Sequence, residues 1–238
     1  MRSLLPCLFA LLTVAPAFGS TGFQDVGLLA PLRYRLNERT VLATHPLLFA
    51  LAPNLDVART WLLTPGTELG SRHHIVYPTP LLRLLARPGT GGIYPADVDV
   101  AHLVLLGSEL YLRQRHGPFV VEPAFGGRTA LLFGPGDLPT LDLPYFYPRT
   151  AAIQHGLVAT AALKAAFVPA ASWALHLDHR LFAVADADTW FHLEQLAYLC
   201  WHSTPSLSLH GGWFFLRSDL AYGREHRLMP YFDLIWRW

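Results

Sequence analysis

The feature that most constrains this chain is a two-residue alternation of apolar and polar side chains running from Gly156 to Trp238. Successive side chains of a strand point to opposite faces, so the pattern dictates strands with one apolar row and one mixed row. Leu157, Ala159, Ala161, Leu163, Ala165 and Phe167 form the first apolar row, with Thr160 and Lys164 opposite. Trp173, Leu175, Leu177 and Leu181 form the second, against His176, Asp178 and Arg180. In the third, Phe191, Leu193, Ala197, Leu199 and Trp201 oppose His192, Glu194 and Tyr198. Leu207, Leu209, Gly211, Trp213 and Phe215 then oppose Ser206, Ser208 and His210. Finally, Phe232, Leu234, Trp236 and Trp238 oppose Asp233 and Arg237. Short polar connections join these segments, as in an antiparallel meander.

The first half is less regular and compatible with the same design. Strands are expected near Leu29–Leu36, Thr40–His45, Leu55–Leu63, Leu69–Tyr77, Asp99–Arg113 and Phe119–Phe133. Two connections are long. Pro78–Pro95 contains Leu81–Leu85, a candidate short helix, and Gly134–His155 is rich in proline and aromatics, including Thr140–Pro148. Those aromatics either dock a partner or fold inward as a constriction. An up-and-down barrel with both termini on one side needs an even strand number. The eleven segments therefore predict twelve strands, with a short extra one before Leu29, and ten as the alternative.

Composition bears on where such a barrel sits. The chain is 52% hydrophobic and 15% charged, whereas soluble domains carry about 25% charged residues. Beyond the first 20 residues no run of 18 apolar residues offers a transmembrane helix. The mixed rows include Val158, Ala162, Phe182, Leu196, Phe214 and Ile235, which suits a water-facing surface poorly. Six of the seven tryptophans lie beyond residue 170. If the tight turns share one end, Phe167, Trp173, Trp201, Trp236 and Trp238 gather there, as in an interfacial girdle. The competing expectation is a soluble sandwich or barrel with these rows as its core.

Residues 1–19 read as a secretory signal peptide: Arg2, an apolar stretch to Ala17, then small residues at Gly19 and Ser20. Residues 20–238 are expected to form the barrel. Cys7 falls in the leader and Cys200 stands alone, so no intrachain disulfide is expected after cleavage. With 18 basic and 17 acidic residues and no basic stripe, nucleic acid is not an expected partner.

The ending Tyr231-Phe-Asp-Leu-Ile-Trp-Arg-Trp238 resembles the C-terminal strand of Gram-negative outer-membrane β-barrel proteins. In that class an aromatic end preceded by alternating apolar residues is read by the barrel-insertion machinery. Phe232, Leu234, Trp236 and Trp238 occupy those positions, although a terminal Phe is the commoner ending. The resemblance implies an all-β transmembrane barrel in the outer membrane, with membrane lipid and the insertion machinery as partners. It covers about a dozen residues and names no subfamily.

The inward row then carries Glu122, Arg128, Lys164, His176, Asp178, Arg180, His192, Glu194, His210, Asp233 and Arg237. Mixed acids and bases suit porin-like passage of small polar solutes, as charged side chains do in selective pores. They equally suit a salt-bridged plug in a structural or assembly barrel. His73 and His74 are neighbours and point to opposite faces, so they do not chelate together. His176 with Asp178, and His192 with Glu194, would meet only if the register allowed it, and no metal or cofactor is assigned. An outer-membrane enzyme acting on lipid would need a Ser–His pair near the membrane. Ser208 and His210 share a face without a fixed third partner, while His102 and Ser108 stand about 20 Å apart along one strand. No G-x-S-x-G turn is present, and no catalytic residue is assigned.

Overall fold

Twelve antiparallel strands follow one another around a closed barrel in chain order, the last pairing with the first. The computed structural model describes residues 22–87, 99–134, 147–185, 191–220 and 223–238. The strands are β1 (Gly22–Gly27), β2 (Leu32–Asn37), β3 (Thr40–Thr44), β4 (Asn54–Thr64), β5 (Thr67–Val76) and β6 (His102–His116). They continue with β7 (Phe119–Phe133), β8 (Leu157–Ala170), β9 (Trp173–Val184), β10 (Phe191–Thr204), β11 (Leu207–Leu220) and β12 (Gly223–Arg237). Among the described residues four short helices lie in the connections: α1 (Pro46–Phe49), α2 (Thr79–Leu85), α3 (Tyr147–Thr150) and α4 (Ala152–His155). The leader and residues 140–146 of the aromatic loop lie outside the described residues.

The strand expected before Leu29 is β1. Its successor begins later than the alternation suggests, because Leu29 and Ala30 turn back to bond Asp233. At the other end β12 starts at Gly223 rather than Arg227. The ladder Leu220↔Gly223 and Asp219↔Arg224 extends it through residues too polar to show an alternation.

Tight turns gather at one end of the barrel. Thr64-Pro65-Gly66-Thr67 is representative: proline presets its own φ, and Gly66 takes a φ of 83° that a side chain would oppose. The long connections gather at the other end.

The apolar rows face outward and remain exposed, as Leu163, Leu175, Leu199 and Phe232 do. The charged rows face inward. That is the reverse of a soluble sandwich, in which the apolar rows would be the core. Around the tight-turn end the outer aromatics touch: Phe119 and Phe167 stack at 4.8 Å, Trp173 and Trp201 at 6.0 Å, and Phe23 meets Trp238 at 5.9 Å.

Conventional hydrophobic packing occurs at the opposite mouth. There α2 sets Leu82 against Leu103 and Leu105 of β6. Beside it, Tyr147, Ala151 and Ala152 pack on Val158, Phe182, Val184 and Leu220. The part of the aromatic loop that is described therefore folds inward, with Tyr147 and Pro148 buried.

The wall is uneven. β1, β2 and β3 have six, six and five residues, against fifteen in β12. β1 and β12 share three register pairs, ending at Gly27↔Ile235. Beyond that level no described strand pairs with the free side of β12. This free edge carries Pro230, Arg224, Glu225 and Arg227. A proline lacks the N–H that an added strand would use, and charges discourage edge-to-edge pairing.

Candidate functional site

A cavity of about 880 Å³ occupies the lumen against β1 to β9. Its centre is an ion network drawn from five strands. Arg72 of β5 bonds Glu122 of β7 and, at 3.0 Å, Glu109 of β6. Arg113 reaches Glu122 at 2.7 Å and Glu68 at 2.9 Å. Arg180 of β9 approaches Glu109 at 3.7 Å, and Lys164 of β8 approaches Asp178 at 3.6 Å. Such contacts across several strands are possible only on the concave side of the sheet.

Tyr111 anchors the network. Its hydroxyl lies 3.2 Å from Thr60 Oγ1, and the Arg72 guanidinium sits 4.3 Å over its ring. Gly70 makes room for that ring, since a Cβ there would lie 2.6 Å from the Tyr111 hydroxyl.

Toward the mouth, Arg149 of α3 forms a two-pronged pair with Glu194 of β10, the longer contact measuring 2.8 Å. Its guanidinium and that of Arg128 flank the Phe182 ring at 5.7 and 5.5 Å. Bases dominate the cavity surface: nine basic and five acidic side chains line it. Glu122 and Glu194, 3% and 6% exposed, stand behind them as buried partners.

The lumen against β9 to β12 is filled instead. His176, Tyr198 and His210 stack in sequence, with ring centroids 4.7 and 5.0 Å apart. Tyr231 joins Tyr198 at 5.4 Å, and Asp233 is buried beneath them. Nearer the tight turns, Ser208 Oγ and an Arg237 guanidinium nitrogen lie 2.7 and 3.2 Å from His202 Nδ1.

The inward residues thus divide into two groups. Arg128, Lys164 and Arg180 line the cavity, with Glu122, Asp178 and Glu194 paired around it. His176, His210, Asp233 and Arg237 belong to the filled side, and His192 is buried against Tyr147 with centroids 5.1 Å apart. The two His-x-acid pairs do not converge. Register sets Glu194 opposite Arg180, Asp178 opposite Leu196 and His176 opposite Tyr198, which slides the pairs past one another. Among the described residues no group of three such ligands could hold a metal ion.

Several groups escaped the alternation argument because they arise from register. Arg72, Glu109 and Arg113 lie in the irregular first half and meet only when β5, β6 and β7 align. Arg149 comes from a loop. His73 pairs across strands with Ser108, a partnership that spacing along one strand cannot show.

No protein-family model matches this chain, and no curated protein does. Among solved structures it is similar to a bacterial polysaccharide outer membrane secretin, at 10% identity and a TM-score of 0.49, over 90% of this chain and 69% of that one. It is similar also to the CymD monoaromatic hydrocarbon channel, at 7% identity and 0.41, over 90% and 50% of the two chains. A Pseudomonas aeruginosa FadL homologue stands at 12% and 0.41, over 90% and 67%. These likenesses are too distant to assign a family or a solute.

Proposed function

We propose that this chain is an outer-membrane β-barrel that passes small polar solutes and favours anions. The observation carrying the reading is the inverted distribution of polarity. Exposed leucines and pairs of touching aromatics face outward, and a cavity lined by more basic than acidic side chains lies inside. An exposed apolar belt suits hydrocarbon, with the aromatics at the interface. Basic groups outnumber acidic ones on the cavity surface, and such an excess raises the local concentration of anions. The signal peptide and the aromatic C-terminal strand fit export and insertion by the barrel-insertion machinery.

A second reading has its own support. The packing of Leu82 and Tyr147 against the inner wall near the mouth suits a structural barrel with a closed lumen. Reversal potentials across a planar bilayer under a KCl gradient separate the two. The folded chain is expected to conduct with anion preference, and Lys164→Gln with Arg180→Gln to reduce it. One unit charge about 7 Å away in water-like surroundings contributes about 0.6 kcal/mol, roughly threefold in permeability per charge. Absence of conductance in the folded barrel sinks the channel reading and leaves the closed one.

A further inference from the structure

On the outer wall, where the rows are otherwise largely apolar, three polar side chains bond one another. Ser108 of β6 lies with its Oγ 3.0 Å from His73 Nδ1, and His73 Nε2 lies 3.0 Å from Ser71 Oγ of the same strand. Their outward placement follows from alternation. Arg72, between the two β5 residues, enters the lumen network, and Gly107 beside Ser108 faces His74 and Arg128 on the inner side. His73 and Ser108 are direct register partners.

A neutral imidazole carries one N–H and one lone pair. Ser71 is 1% exposed, whereas Ser108 is open to the surroundings. The consistent assignment has Nε2–H donating to buried Ser71, which fixes the tautomer, and Nδ1 accepting from exposed Ser108. That is a nucleophile, a base and an orienting group in order.

The surroundings suit a lipid. Leu110, Ile75 and Phe125 are exposed around the cluster. Gly127, the register partner of Ser108, leaves a recess, since a Cβ there would meet nothing closer than 3.4 Å. Arg59, exposed and opposite Ser71 in register, supplies a cation on the same face.

Depth agrees as well. Ser108 lies eight residues along β6 from His116, which is level with Phe119 in the aromatic ring. At about 2.5 Å of height per tilted residue, that is about 20 Å across an apolar belt of about 25 Å. The hydroxyl therefore sits near the far edge of the belt, where acyl ester carbonyls lie. His179 opposite Gln195, another outward polar pair, offers no nucleophile.

We propose that Ser108, His73 and Ser71 form a membrane-facing esterase site that cleaves acyl esters of outer-membrane lipids. Ser108 Oγ attacks the ester carbonyl carbon while His73 Nδ1 takes its proton. The C–O bond to the lipid alcohol breaks, that alcohol leaves with the proton from His73, and the acyl group stays on Ser108. Water then attacks the acyl carbonyl, gives its proton to His73, and releases the fatty acid as Ser108 is reprotonated. Arg59 is positioned to face the carbonyl oxygen or a neighbouring phosphate.

The proposal rests on the membrane placement above and is independent of conduction. Its test uses the full barrel folded in detergent, with heat-dependent gel mobility as proof of folding. Fatty-acid release is measured from mixed micelles of phosphatidylethanolamine and, separately, of lipid A, and a long-chain alkyl sulfonyl fluoride is mapped by mass spectrometry. Labelling at Ser108 is expected, with release from at least one lipid identifying the source. His73→Ala and Ser108→Ala are expected to lose at least about 100-fold in release while keeping the mobility shift. Ser71→Ala is expected to retain labelling at a reduced rate. A folded wild-type barrel that neither labels at Ser108 nor releases acyl chain from either lipid overturns the proposal. Release that survives His73→Ala does the same. A chain that shows no mobility shift and dissolves without detergent removes the membrane placement itself, and the site with it.

Discussion

The Asp233 carboxylate accepts a hydrogen bond from the backbone N–H of Leu29 at 3.0 Å, joining residues 204 apart in sequence. Its other oxygen accepts from Ala30 N–H, also at 3.0 Å. These bonds sit at the seam where β1 and β12 share three register pairs, so one buried side chain fastens the first turn to the last strand. Charge-assisted hydrogen bonds contribute more than neutral ones. Asp233→Ala is expected to cost about 2 to 4 kcal/mol, read as a lower urea midpoint for the detergent-folded barrel. Glu225→Ala, on the stretch of the same strand that pairs with β11 alone, should stay within about 0.5 kcal/mol. Equal effects from the two would remove Asp233 from the seam.

A second expectation concerns the mouth. Arg149 ties α3 to the wall through Glu194, and the segment packs Tyr147 onto His192. Losing one partner of a buried pair costs roughly 3 to 5 kcal/mol locally, enough to free a segment this short. If the lumen conducts, Arg149→Ala should raise single-channel conductance and its open-state noise while leaving the mobility shift intact. Unchanged conductance would mean that the segment does not limit flow.

Glycine placement supplies a sharper contrast. A Cβ at Gly70 would lie 2.4 Å from the Arg59 carbonyl oxygen and 2.6 Å from the Tyr111 hydroxyl, whereas one at Gly211 would meet nothing within 4 Å. Displacing Tyr111 also disturbs the cation stacked on it. Gly70→Ala is expected to destabilise by about 1 to 3 kcal/mol and Gly211→Ala to be neutral, in parallel urea titrations. Two neutral results would show that the Tyr111 packing is loose.

Much of this architecture was legible in the chain because one physical constraint repeats. From Leu157 onward each strand must bury charge inward and present hydrocarbon outward, so alternation reveals face, strand and turn together. The short strands β1 to β3 give only five or six residues to read, and β1 merges with a turn held by Asp233. Register was the larger gap. Placing Lys164 and Asp178 on one face needs only parity, but the meeting of Arg72 with Glu122, 50 residues away, needs three strands in alignment. The same holds for His73 and Ser108. Parity along one strand relates His102 to Ser108, whereas the histidine bonded to Ser108 lies on the neighbouring strand.

The membrane placement yields the last expectation, and it can be read from tryptophan depth. Trp201 stacks on Trp173 in the ring near the tight turns. Trp213, also outward and exposed, stands six residues above Leu207 on β11. At about 2.5 Å per residue it lies about 15 Å higher, near the middle of a belt about 25 Å tall. Lipids brominated deep in the acyl chain should therefore quench Trp213 more than Trp201, and lipids brominated near the carboxyl end should do the reverse. Comparing Trp213→Phe with Trp201→Phe isolates each contribution: the first should remove more of the deep-quenched emission. If neither variant changes quenching from either lipid, the outer face does not contact hydrocarbon, and the apolar belt must be covered by protein instead.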